Sequence, residues 1–137
     1  MKKILLFSLL GLAVICGIIY LLISWINHNP ALRKPAEEIR EDMLVLVPIG
    51  TSIEDIIALM GRRNDWKVHT RGRWWRWSEL SDEIKEWSTI SFVGGKTIWI
   101  SMRGDGLGQI VRLIFYFDDN LELRDISVMK YVSINGW

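Results

Sequence analysis

The chain has 137 residues, half of them hydrophobic, and a formal net charge of +1. That near-neutral balance argues against a general polyanion binder. A single cysteine, Cys16, excludes an intramolecular disulfide, and the length beyond the apolar start suits one domain rather than two.

The first stretch, Ile4–Ile26, carries no charged residue. As a helix it would be roughly 34 Å long, enough to cross a hydrocarbon core of about 30 Å. Ile4, Leu5, Leu10, Ile15, Ile19, Leu22 and Ile26 supply apolar surface for a membrane anchor, and Trp25 suits an interfacial aromatic. Lys2 and Lys3 match the start of a cleaved signal, but the apolar run outlasts the usual core and has no A-x-A ending. Ile15 ahead of Cys16 does not fit a lipidated cysteine. The sequence therefore predicts an uncleaved, single-pass signal-anchor over 1–29 and one domain over 30–137. Basic residues flank both ends (Lys2 and Lys3; Arg33, Lys34 and Arg40), so the very short tail before the anchor decides the orientation. It places the N-terminus in the cytoplasm and the domain outside it.

After the linker Asn27–Lys34, Pro35 suits a first helical position, with Glu37 and Glu38 in the first turn. Ile39, Met43 and Leu46 or Val47 recur at helical spacing and predict a helix over 36–45. Its acidic residues Glu38, Glu41 and Asp42 read as a solvated face, not a carboxylate site. Pro48 stops the helix and Ile49-Gly50 turns the chain. Thr51 and Glu54 have the spacing of a capping box. Ile53, Ile56, Ile57 and Met60 then predict an amphipathic helix over 52–60, with Gly61 as its left-handed terminator.

The segment PIGTSIEDIIALMG resembles the G-M-[ST]-x-E-x-V-x-x-x-x-G helix of the SmpA/OmlA (BamE-like) group of small outer-membrane assembly lipoproteins. In that group one or two helices precede a small antiparallel sheet; their lipidated cysteine has no counterpart here. The longer stretch NPALRKPAEEIREDMLVLVPIGTSIEDII looks like the head of a group of single-span, membrane-anchored bacterial proteins. That resemblance implies an anchor followed by a small α+β domain, and no activity.

Arg62–Trp77 is the most distinctive piece, with basic residues and tryptophans interleaved. Trp66, Val68 and Thr70 alternate as in a strand over 66–70, and Arg71-Gly72 forms a turn. Arg71, Arg73, Trp74, Trp75, Arg76 and Trp77 make a candidate interaction segment. Such mixtures suit anionic lipid headgroups, acidic cell-wall polymers, or stacking on bases or sugars. Equally, alternate tryptophans could fill the core while the arginines snorkel over them. An exported domain makes nucleic acid an unlikely partner.

Ser78 is placed to cap a short helix over 78–87 carrying Leu80, Ile84 and Trp87. Thr89–Val93, Gly94-Gly95 and Lys96–Met102 spell a β-hairpin. Arg103–Gly108 lacks the spacing of a phosphate loop and reads as a turn. Gln109–Phe117 is the most apolar strand, with Arg112 the single charge interrupting one face. Asp118-Asp119-Asn120 lacks the pattern of a calcium loop and reads as a turn. Leu121–Val132 completes the sheet.

His28 and His69 do not form a metal cluster, and a catalytic triad would have to recruit His69. The sequence thus predicts no enzyme, no cofactor and no metal. It predicts an α+β fold: an anchor helix, then two or three short helices packed on a four- or five-stranded antiparallel sheet. The expected function is a membrane-anchored extracytoplasmic interaction module for a protein partner. Binding of anionic lipid or cell-wall polyanion through 71–77 is the alternative.

Overall fold

A computed structural model describes residues 2–26, 34–103 and 109–132; in the first helix, side chains are described for 8 and 10–23. The fold is α+β, with four α-helices and a five-stranded antiparallel sheet. α1 (Lys2–Ile26) is one continuous helix. From Leu10 to Ile23 every side chain faces outward, on all sides of the helix. Among the described residues no helix is long and apolar enough to cross a membrane. The run Leu10–Ile23 amounts to about 21 Å of helix rise.

α2 (Ala36–Leu46) and α3 (Ile53–Arg62) form because their apolar residues recur every three to four positions. Ile39, Met43 and Val47, then Ile53, Ile56 and Met60, are all buried. Pro35 sits at the N-cap of α2, one residue earlier than expected. The cap of α3 also shifts by one: Ser52 Oγ accepts from the Asp55 N–H at 3.2 Å. Thr51 Oγ1 instead donates to the Pro48 carbonyl at 2.7 Å, closing the turn. Gly61 does not terminate α3 in the left-handed region; the helix runs through it to Arg62. A Cβ at Gly61 would lie 3.6 Å from Trp77 Cδ1, an ordinary contact.

β1 (Lys67–Thr70) and β2 (Arg73–Trp75) form a tight hairpin, with Arg71 and Gly72 both at positive φ as a type I′ turn requires. A 3₁₀ turn, Trp77–Glu79, leads to α4 (Asp82–Gly95), which is capped by Ser81 and not by Ser78. The predicted hairpin over Thr89–Val93 is not there: those residues are the second half of α4. Their β-branched side chains favour strands in isolation. Here Ser88 Oγ and Thr89 Oγ1 donate back to the Ile84 and Lys85 carbonyls, at 2.6 and 2.9 Å. Phe92 also packs against Trp77, with ring centroids 6.1 Å apart. Lys96, left-handed at φ 52°, ends the helix.

β3 (Thr97–Arg103), β4 (Gln109–Phe117) and β5 (Leu123–Val132) form an antiparallel meander, giving the strand order β2-β1-β3-β4-β5. Cross-strand partners Ile98 and Phe115, Ile100 and Leu113, and Met102 and Val111 point to the helix-covered side and are buried. Trp66 packs on Phe115 in the same core, with centroids 6.1 Å apart. The Asp118 turn is held by its carboxylate, which accepts from the Asn120 and Glu122 N–H groups. The Arg103–Gly108 turn lies largely outside the described residues.

The first part of the β5 edge is covered. The chain around Ser52 pairs with Glu122 and Leu123. Further along, Arg40 of α2 donates to the Ile126 carbonyl and to the Asp125 carboxylate. Capped edges limit unwanted strand addition.

Candidate functional site

Antiparallel pairing puts alternate residues of each strand on the side away from α2 and α3. Along one row of that second face, Lys67, Ser101, Arg112 and Met129 are successive cross-strand partners on β1, β3, β4 and β5. Beside them stand His69 paired with Trp74, Trp99 paired with Ile114, and Ile110 paired with both Arg103 and Tyr131. Among the described residues no helix covers these rows; their own large side chains do. Ile110 and Ile114 are buried, whereas Trp99, Tyr116, Met129 and Tyr131 keep 37–39% of their surface exposed.

Arg112 is the centre. Its guanidinium carbon lies 4.9 Å from the Trp74 ring centroid, 5.7 Å from that of Trp99 and 5.0 Å from that of Tyr131. Its Nη2 donates to the Tyr131 hydroxyl at 2.6 Å. His69 extends the cluster, 5.0 Å from Trp74 and 6.4 Å from Trp99, centroid to centroid. Cation–π contact favours a guanidinium held between rings. Two polar atoms in this cluster are buried without a hydrogen-bond partner among the described residues: Arg112 Nε and Ser101 Oγ.

The face is electropositive. Lys67, Arg103 and Arg112 lie on it, and its described carboxylate, Asp125, is paired with Arg40 at the far end. Burial pulls the Lys67 ammonium below its usual pKa, Arg76 and Arg103 lower it further, and Glu79 opposes them in part.

The predicted segment 71–77 does not form one surface. Arg71 leaves the sheet and lies over Trp87 of α4, 5.1 Å from its ring centroid. Arg73, paired with Thr70, is exposed at the β2 edge. Trp74 alone joins the Arg112 face. Trp75 pairs with Val68 toward the helix side and stays 37% exposed. Arg76 bonds Glu79 at 3.0 Å, and Trp77 is buried against Phe92. The segment therefore serves core, edge and face at once.

Trp99, Ser101 and Tyr131 were not singled out by sequence, since their partners lie on other strands. The one available signal was Arg112, a lone charge within an apolar strand. Among the described residues no group of three or more His, Cys, Asp or Glu is placed to hold a metal ion. Compared with known proteins, the chain matches no family model, no curated protein and no solved structure.

Proposed function

We propose that this chain is a membrane-anchored, extracytoplasmic interaction module that presents the Arg112 face of its sheet to a protein partner. The observation that carries the proposal is the partial exposure of Trp99, Met129 and Tyr131 around a half-buried arginine, with Tyr116 further along the same face. Tyr, Trp, Met and Arg are the side chains enriched at the centres of protein interfaces. A sheet face stocked with them, and bare of a covering layer among the described residues, fits a surface that a second protein completes.

The anchor is supported by the uncharged run Ile4–Ile26 and by the outward, apolar side chains of Leu10–Ile23 on every side of α1. A helix that is apolar all round belongs in lipid or in a large core.

The test is site-specific photocrosslinking in native membranes, with the probe at Tyr116 on the sheet face or at Ile90 on α4. The proposal expects a discrete protein adduct from Tyr116, lost when Trp99 is changed to Asp, and none from Ile90. Adducts only to lipid, or equal adducts from both positions, would overturn it.

Lipid or cell-wall polyanion binding is the second reading. Exposed Trp75, Trp87 and Ile90, together with Arg71 stacked on Trp87, favour it. It predicts lipid adducts from Ile90.

A further inference from the structure

We propose that one end of the sheet, where β1 begins and β3 and β5 end, rests on the headgroups of an anionic bilayer. The proposal takes the anchor from the reading above and adds which end of the domain meets the membrane.

Strand register gathers basic residues at that end. Lys67 opens β1 opposite Ser101, Arg103 closes β3 opposite Ile110, and Lys130 lies near the end of β5 opposite Val111. Arg103 and Lys130 are exposed and Lys67 is half-buried. Arg76 and Arg103 lie close enough to repel the Lys67 ammonium, and Glu79, which offsets them in part, is shared with Arg76. Like charges gathered in this way cost stability in the free protein, and a layer of anions relieves that cost. The other end of the sheet has the opposite sign. Asp118, Asp119, Glu122 and Asp125 surround the β4–β5 turn and outnumber Lys96 and Arg124 beside them.

The chain also enters at the basic end. α2 runs antiparallel to β5: Lys130 Nζ donates to the Lys34 carbonyl at 2.9 Å, Arg40 reaches the Ile126 carbonyl, and the Gly50 N–H donates to that of Leu123. Residues 27–33 separate Lys34 from Ile26, the last residue of α1. Fully extended, that connection reaches about 28 Å. β4, nine residues long, spans about 30 Å. Standing the domain on its acidic end would lift Lys34 by that whole span and stretch the connection to its limit. Resting on the basic end requires no such extension.

Each Lys or Arg near an anionic surface contributes about fivefold in binding, and salt weakens the effect. With α1 holding the chain in the bilayer, the basic end sets the tilt of the domain. The strands then stand steeply on the membrane, and the Arg112 face looks sideways toward a partner in the same bilayer. The surface around Trp87 and Ile90 on α4 is left away from the lipid.

The experiment uses the full chain in nanodiscs of pure phosphatidylcholine, or of phosphatidylcholine mixed with phosphatidylglycerol, each with a trace of headgroup spin-labelled lipid. NMR reads the broadening of the amide signals of Arg103 and Lys130, of Asp119, and of Ile90. With phosphatidylglycerol, Arg103 and Lys130 should broaden several-fold more than Asp119 and Ile90. In pure phosphatidylcholine, or at high salt, that difference should shrink. Combining Arg103→Glu with Lys130→Glu should abolish the phosphatidylglycerol effect, whereas Arg73→Glu, at the opposite end of the β1–β2 hairpin, should leave it intact.

Equal broadening at the two ends, the same pattern in both lipids, or strongest broadening at Ile90 would overturn the inference. If the double variant failed to fold, the salt series on the wild-type chain would decide alone. A chain that separates from the nanodiscs would sink the anchor reading and the inference with it, so the two failures are distinguishable.

Discussion

Trp74 and Tyr131 stand on the two outermost strands of the sheet, yet their rings lie 4.9 and 5.0 Å from the same Arg112 guanidinium. In a flat sheet those strands would be about 19 Å apart. Twist and long side chains therefore fold the second face inward, and Arg112 joins its two edges. The arginine thus closes the face as well as giving it charge.

Arg112→Ala should cost roughly 2 kcal/mol, since each ring contact contributes about 0.5–1 kcal/mol. Arg112→Met keeps the aliphatic stem but loses the same ring contacts, so it should cost at least about 1 kcal/mol and less than the alanine variant. Urea denaturation of both variants checks this. A methionine variant as stable as the wild type would mean that the guanidinium adds nothing to the rings.

A second prediction concerns the join between sheet and helix. Thr70 Oγ1 and Ser88 Oγ lie 2.7 Å apart in the core. Ser88 gives its one proton to the Ile84 carbonyl, so Thr70 must be the donor between them. Ser88→Ala would leave the Thr70 hydroxyl buried without that acceptor and should cost about 1–3 kcal/mol. Thr70→Val leaves Ser88 bonded to Ile84 and should cost less. The reverse order in denaturant midpoints would contradict the donor assignment.

Gly61 offers a test that separates sequence from structure. As a left-handed terminator it would resist substitution; as a residue inside α3 it should not. A Cβ there would make only ordinary contact with Trp77, at 3.6 Å. Gly61→Ala should therefore stabilise by up to about 1 kcal/mol, the difference in helix propensity. A lower melting temperature for the alanine variant would refute this placement.

The pH dependence follows from two aspartates. The Arg40 hydrogen bond, with the Ile126 N–H, holds Asp125 below the usual carboxylate range. Lys96 does the same for Asp119. A carboxyl whose folded pKa lies below its unfolded value adds stability above the unfolded pKa, 3.8 here. That contribution fades as pH falls through the folded value. Asp125→Asn should flatten the acid limb of a stability–pH profile and leave the slope near neutrality unchanged. An unaltered acid limb would show that the Arg40 pair contributes nothing to it.

Much of the fold was legible where local pattern and burial agree. α2, α3, the β1 hairpin turn and the strands from Thr97 onward follow from periodicity and turn residues. The Thr89–Val93 error shows the limit. A run of β-branched and aromatic residues favours strand, and only Phe92 meeting Trp77 and the back-bonded hydroxyls make it helix. The Arg112 face was less legible, because its members come from five strands and meet only through register. Arg112 was visible as an exception in an apolar strand; that Trp74 would reach it was not. The cluster 71–77 looked like one site because it is contiguous in sequence, and strand alternation divides it between two faces.

The most direct test of the account is hydroxyl-radical footprinting of the full chain, in native membranes against purified protein in nanodiscs. The account predicts that Trp99, Met129 and Tyr131 are labelled several-fold less in native membranes, while Trp87 on α4 is labelled equally in both. Equal labelling of the sheet face in the two settings, or protection confined to Trp75 and Trp87, would contradict it.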